Sequence, residues 1–265
     1  MMNKPFTIVA VLTCVLTLFS LFCSLPRVEA SGLDSNVTLL LHMDGTDAST
    51  SFPDASNSNH TVTTAGNAQV DTAQSKFGGA SGLFDGVGDS LSITDATDFD
   101  FPADFTIDMW IRPVATDVML YADSAGLNIF FYLFPDAGGV ADLVFENQTQ
   151  TIFAVCDKAV TTGSWQHVAA VRSGSTVTLY VNGTSCVTVA DASDAVDVAG
   201  IFIGHMPGDT IDYNGHLDEL RVSKGVARWT SNFTPPTSAY SADLVVAKVF
   251  RIRGGVRLRG GVRLH

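Results

Sequence analysis

Thr176-Val-Thr-Leu-Tyr-Val181, Asn182-Gly183 and then Cys186-Val-Thr-Val189 form the stretch on which the fold turns. Two short runs rich in β-branched and aromatic residues flank an Asn-Gly pair. Asn-Gly suits the type I′ turn of a tight hairpin, because both central positions need positive φ. Upstream, Phe105-Thr-Ile-Asp-Met-Trp-Ile-Arg112 alternates with a period of two. Phe105, Ile107, Met109 and Ile111 are predicted to face a core, and Thr106, Asp108, Trp110 and Arg112 the outer surface of a sheet. Pro113 ends that strand.

The same short runs recur every eight to fifteen residues, separated by Gly, Asp, Asn and Ser. They include Val37–Met43, Ser81–Phe84, Leu91–Thr94, Ile129–Phe134, Leu143–Glu146, Thr151–Val155, Trp165–Arg172, Ile201–Ile203 and Leu217–Ser223. Helical periodicity is almost absent. A dozen strands at this spacing predict an all-β fold, a two-sheet antiparallel sandwich, over residues 36–240.

The flanks differ from this unit. Lys4, the apolar run Phe6–Leu25 and Val28-Glu29-Ala30 read as a signal peptide over residues 1–30, cleaved after Ala30. Twenty apolar residues are also long enough for an uncleaved anchor, but the cleavage pattern and the polar sequence from Ser31 favour removal. Residues 241–265 form a basic Gly/Arg tail. It contains the near-duplication Arg253-Gly-Gly-Val-Arg-Leu258 and Arg259-Gly-Gly-Val-Arg-Leu264, whose Gly-Gly pairs argue for a flexible arm.

Charge is uneven. Residues 31–247 hold seven Lys and Arg against twenty-six Asp and Glu, a net of about −19. Such a surface repels nucleic acid and anionic lipid. Asp outnumbers Glu twenty-four to three, which reads first as many turns and second as hard oxygen ligands for calcium. Cys156 and Cys186 remain after removal of the leader, and export favours a disulfide between them. Five Asn-x-Thr sequons begin at Asn36, Asn59, Asn147, Asn182 and Asn232; in a glycosylating host some would carry surface glycans.

An ordered set of segments resembles the concanavalin A-like lectin and glucanase superfamily, in its laminin-G-like jelly-roll branch. The set comprises Leu39–Gly45, Ser75–Gly78, Phe84–Leu91, Asp104–Trp110, Trp165–Ala169, Leu179–Gly183 and Leu217–Val222. The resemblance implies a jelly roll whose first and last strands lie together, with a structural calcium ion near them. Carried onto matching positions, its ligands would be Asp44, Asp218 and the backbone carbonyl of Gly86, with Asp47 and Asp54 as alternatives. The competing reading makes Asp44 and Asp85 turn caps and pairs Asp218 with a base.

The superfamily also holds retaining glucanases, which need two carboxylates about 5 Å apart. Glu146 and Glu219 stand alone in the mature sequence. Asp104 and Asp108 would lie about 13 Å apart along an extended strand. Asp218 is expected to point to the opposite face from Glu219, because strand residues alternate. The six histidines are scattered, with no HExxH or GxSxG. No catalytic residue is therefore assigned.

Sugar binding needs aromatic platforms with Asp or Asn beside them. The candidates are Trp110, Tyr121, Tyr132 and Trp229, although Trp110 could instead fill the sandwich and Trp229 pack with Phe233 onto it. Two readings follow. One is a secreted, non-catalytic, calcium-stabilised carbohydrate-binding module at the cell surface or outside, with a glycan or cell-surface polysaccharide as partner. The other is a structural adhesion or assembly protein acting through protein–protein contacts.

Overall fold

The computed structural model describes residues 32–94, 97–123, 129–147, 152–191, 200–206, 208 and 211–242. The expected leader, its cleavage after Ala30, and the tail from residue 243 onward lie outside the described residues.

Among the described residues there are seventeen strands and no helix. The first six are β1 (Gly32–Leu33), β2 (Val37–Leu41), β3 (Thr63–Ala65), β4 (Gln69–Asp71), β5 (Ser81–Asp85) and β6 (Ser90–Ile93). The middle of the chain forms β7 (Phe105–Pro113), β8 (Val118–Asp123), β9 (Phe130–Pro135), β10 (Val140–Glu146) and β11 (Phe153–Thr161). Then come β12 (Gln166–Ser173), β13 (Thr176–Val181), β14 (Thr184–Ala190), β15 (Ile201–Ile203), β16 (Asn214–Lys224) and β17 (Ser241–Ala242).

They build two large antiparallel sheets. The eight-stranded sheet runs β14-β13-β12-β7-β16-β5-β4, with β2 also on β16, and the seven-stranded sheet runs β11-β10-β9-β8-β15-β6-β3. This is the jelly-roll sandwich expected from the sequence. The Asn-Gly hairpin is present as read: Val181 pairs with Thr184, and Asn182 and Gly183 have φ of 50° and 76°. Strand β8 was not anticipated, and neither were the short strands β1, β3, β4 and β17.

The facing surfaces of the two sheets interlock in one core. Ile107, Met109 and Ile111 of β7 meet Phe131 of β9 and Phe145 of β10 there, all closed to solvent. Removing such a side chain from water stabilises the fold by about 1.5–3 kcal/mol. Cys156 on β11 and Cys186 on β14 are joined by a disulfide, with Cα atoms 5.6 Å apart, so the bond ties one sheet to the other.

The outward set of β7 corrects the sequence reading. Thr106, Asp108 and Trp110 point away from the core but are 0%, 0% and 6% exposed. The chain after β16 crosses this face, packing Ala227, Trp229 and Phe233 against Ala169, Val171 and Tyr180. Tyr240 then settles on Val37 and Leu40, and β17 pairs in parallel with β1. Alternation correctly separates the two faces of a strand; it carries no information about a third layer supplied from elsewhere in the chain. The outer face of the seven-stranded sheet is different, with Phe134 and Phe153 more than half exposed on it.

Candidate ligand-binding site

That face carries a groove of about 320 Å³ lined by Asp117, Met119, Phe130, Tyr132, Phe134, Glu146, Met206 and Ile211. Sheet register creates it. On β9, Phe131 and Leu133 point into the core, so Phe130, Tyr132 and Phe134 form an outward aromatic row. Tyr132 pairs with Met119 on β8 and with Val144 on β10, and Phe130 pairs with Glu146. Met206 and Ile211, from the connection between β15 and β16, pack against this row as a wall.

The polar groups of the groove are acidic. The Tyr132 hydroxyl donates to Glu146 Oε1 at 3.2 Å. Burial, reinforced by the Glu146 and Asp117 carboxylates, pushes the Tyr132 phenol well above its usual range, so it stays a neutral donor. Asp117, exposed at the groove's edge, makes no hydrogen bond or ion pair among the described residues. Aromatic faces with flanking carboxylates can stack on a sugar ring and accept its hydroxyls.

Of the aromatic residues expected to touch ligand, Tyr132 alone lies in the groove. Tyr121 is turned into the core, 1% exposed, because a register shift in β8 sends both Leu120 and Tyr121 inward. Trp110 meets Phe77 edge-on, and the Lys76 ammonium stands 3.7 Å from its ring centroid, so its free face is taken by the protein itself. Trp229 stacks on Phe233 with ring centroids 3.8 Å apart, which is packing of the crossing segment. Sequence reasoning missed Phe130 and Phe134, Asp117, Met119, Met206 and Ile211. Phe130-Phe131-Tyr132-Leu133-Phe134 is apolar in both phases, so alternation gave no sign of the outward face.

The expected calcium residues are only partly together. Asp44 and Asp218 lie in one cluster with His42 and Glu219, and the Glu219 carboxylate bears on the protonation of the other three. Gly86 is elsewhere. It follows Asp85, which pairs with Asn214, and Asp218 lies four residues further along β16, about 13 Å away. Gly86 packs on Asn214 instead.

Asp218 and Glu219 share a face, contrary to the alternation expected of them. The ladder between β16 and β7 skips from Asp218 to Arg221, and Glu219 has φ of 50°. This bulge places two consecutive residues outward between core-facing Leu217 and Leu220. Glu219 is then held on both oxygens, by His42 Nδ1 at 2.8 Å and by the backbone amide of Tyr240 at 2.8 Å. Its hydrogen bond holds the His42 imidazole above its usual pKa.

Asp218 accepts the amides of Lys76 and Phe77 on Oδ2, at 2.7 and 3.1 Å. Burial pushes its carboxyl up to about 7. Asp218 Oδ1 and Asp44 Oδ1 are both buried without a hydrogen-bond partner, and Gly78 leaves the backbone close against the Asp44 carboxylate where a side chain would collide. Two orphaned hard oxygens fit calcium as donors. Asp218 and Glu219 are 0% and 1% exposed, so this acid pair is closed to a substrate. A second acidic group, Asp136, Asp142 and Asp157, brings carboxylate oxygens within 4.8 Å of one another, and the Lys158 ammonium pairs with Asp136 at 3.3 Å.

A family model described as the concanavalin A-like lectin/glucanases superfamily matches residues 85–230, more than half of the chain. Comparison with curated proteins finds no match. Among solved structures, the binding domain of Paraclostridial Mosquitocidal Protein 1 aligns with a TM-score of 0.57 at 15% identity, over 73% of this chain and 50% of that one. Domain 4 of AbnA, a GH43 extracellular arabinanase from Geobacillus stearothermophilus in complex with arabinotriose, aligns with a TM-score of 0.54 at 18% identity, over 72% and 94%. The botulinum neurotoxin serotype D binding domain aligns with a TM-score of 0.53 at 14% identity, over 73% and 49%. The chain thus spans about half the length of the toxin domains and nearly all of the arabinanase domain. At these identities the likeness is one of fold.

Proposed function

Because the chain belongs to the concanavalin A-like lectin/glucanase superfamily, we propose that it is a secreted, non-catalytic module that binds glycans through the open face of its seven-stranded sheet. The observation that carries the reading is the groove, in which an outward aromatic row, more than half exposed at Phe134, stands between two carboxylates. A pyranose or furanose ring stacks on Tyr132 and Phe134, and Glu146 and Asp117 accept its hydroxyls. Export is supported by the apolar N-terminal run and by the inter-sheet disulfide, which suits an oxidising compartment. Calcium, held by Asp44 and Asp218, is a structural ion distant in role from the groove: it neutralises one buried and one half-buried carboxylate.

The test is a glycan array followed by titration calorimetry on the purified protein, with arabino-oligosaccharides among the probes. Tyr132→Ala and Phe134→Ala each lower affinity about tenfold or more, the value of one lost stacking platform, and Phe134→Ala, at a position more than half exposed, does so without moving the melting temperature by more than a degree or two. Release of reducing ends that disappears in Glu146→Gln would replace this reading with a hydrolase. Self-association without any sugar binding would replace it with an assembly module.

A further inference from the structure

The groove's lining is selective in charge. Apart from the Tyr132 hydroxyl its polar side chains are carboxylates, and none of the lining residues is Lys, Arg or His. Asp117 is unpaired among the described residues, and Glu146 spends one oxygen on Tyr132 and leaves the other for a ligand. Outward Asp142 pairs across the sheet with Phe134 and extends the acidic field along the aromatic row. The nearby ammonium of Lys158 is engaged with Asp136. The phenol of Tyr132 registers this negative potential, its ionisation opposed by burial and then by Glu146 and Asp117.

An aromatic row beside two carboxylates is suited to a cation, which gains from the ring quadrupole and from the opposite charge together. The chain already uses this pairing internally, where the Lys76 ammonium stands over Trp110. An anionic sugar in the same place would set its carboxylate or sulfate against Glu146 and Asp117 in a partly dried groove, which is costly.

We propose that the groove selects glycans bearing free amines, hexosamine units with an uncapped amino group, over neutral and acidic glycans. This rests on the groove being the glycan site, and deepens that reading by naming the sugar class. The amine lies between Glu146 and Asp117 while its ring stacks on Tyr132 and Phe134.

Three oligomers of equal length separate the cases by calorimetry: β-1,4-linked glucosamine, its N-acetylated form, and galacturonate. Measurements belong at about pH 5.5, where carboxylates are ionised and the amine is charged, and at about 0.15 M salt, where distant charges are screened. The amine form is expected to bind about tenfold tighter than the acetylated form, and galacturonate not detectably. In a folded Glu146→Gln/Asp117→Asn variant the amine-to-acetyl ratio falls to near one. Equal affinities that Tyr132→Ala abolishes would overturn the amine preference while leaving the glycan reading intact; no Tyr132-dependent binding of any oligomer would sink that reading itself. A preference that survives in the double variant belongs to the net charge of the whole chain, and displacement by oligolysine at equal charge assigns the groove to basic peptides. Either result overturns the proposal.

Discussion

Asp108 has no access to solvent, and groups from three separate segments converge on it. Arg221 Nε donates to Oδ1 at 2.9 Å, His167 Nε2 lies 3.3 Å from Oδ2, and the Tyr240 hydroxyl donates to Oδ2 as well. Burial alone would raise this carboxyl; the Arg221 guanidinium overrides it and holds the pKa at about 2. The unfolded value is 3.8, so Asp108 contributes its stability fully above that pH and loses it as pH falls through about 2. The amount is on the order of 2 kcal/mol. Asp108→Asn is expected to cost about 3–5 kcal/mol at neutral pH, because Arg221 stays buried with its charge unmatched. Denaturant melts at neutral pH and near pH 2.5 check both, since the gap between wild type and variant should narrow in acid. Nothing local in the sequence announced this centre. Asp108 reads as an outward residue of an alternating strand, and its partners lie 59 to 132 residues away.

At the scale of elements, the bulge in β16 decides what the acidic cluster can do. A regular strand would have sent Glu219 into the core. The extra residue keeps it outward, where it secures His42 and the crossing segment and leaves Asp218 with one unpartnered oxygen. Calcium at a hundredfold excess over its dissociation constant is expected to add about 2.7 kcal/mol, seen as a melting temperature several degrees higher than in chelator. Asp218→Asn removes most of that increment. Overlaid melting curves with and without calcium would leave Asp44 and Asp218 as turn residues. The strands themselves were largely legible: twelve apolar or alternating runs fall on observed strands, all but one within about three residues at their ends, the exception being Thr151–Val155, which stops six residues short of the end of β11. Strand β8 was not, because Val118-Met-Leu-Tyr-Ala-Asp123 is buried in both phases and offers no alternation to read. The groove was legible only through Tyr132, whose polar tip marks an outward position; Phe130 and Phe134 carry no such mark.

For the molecule as a whole, the two sheets meet through apolar packing that has no direction of its own, and one covalent bond fixes an edge. Cys156 and Cys186 are separated by 30 residues, a loop whose closure is worth about 3.5 kcal/mol in the unfolded chain. A Cys156→Ser/Cys186→Ser variant is expected to lose about that much stability in guanidinium titrations, with the circular dichroism of the native state unchanged. The parallel pairing of β1 with β17 has a different consequence. Gly32 lies opposite Ser241 and Leu33 opposite Ala242, on the outer side of the eight-stranded sheet, where Arg221 donates to the Gly32 carbonyl. The first and last described strands therefore stand side by side, about 5 Å apart, at the back of the sandwich relative to the groove. A probe attached at Gly32 or at Ala242 is therefore held from the rear, with the aromatic row turned away from the attachment point. Attachment at these two positions should thus be interchangeable for an immobilised probe, whereas coupling through the seven-stranded sheet would blind it.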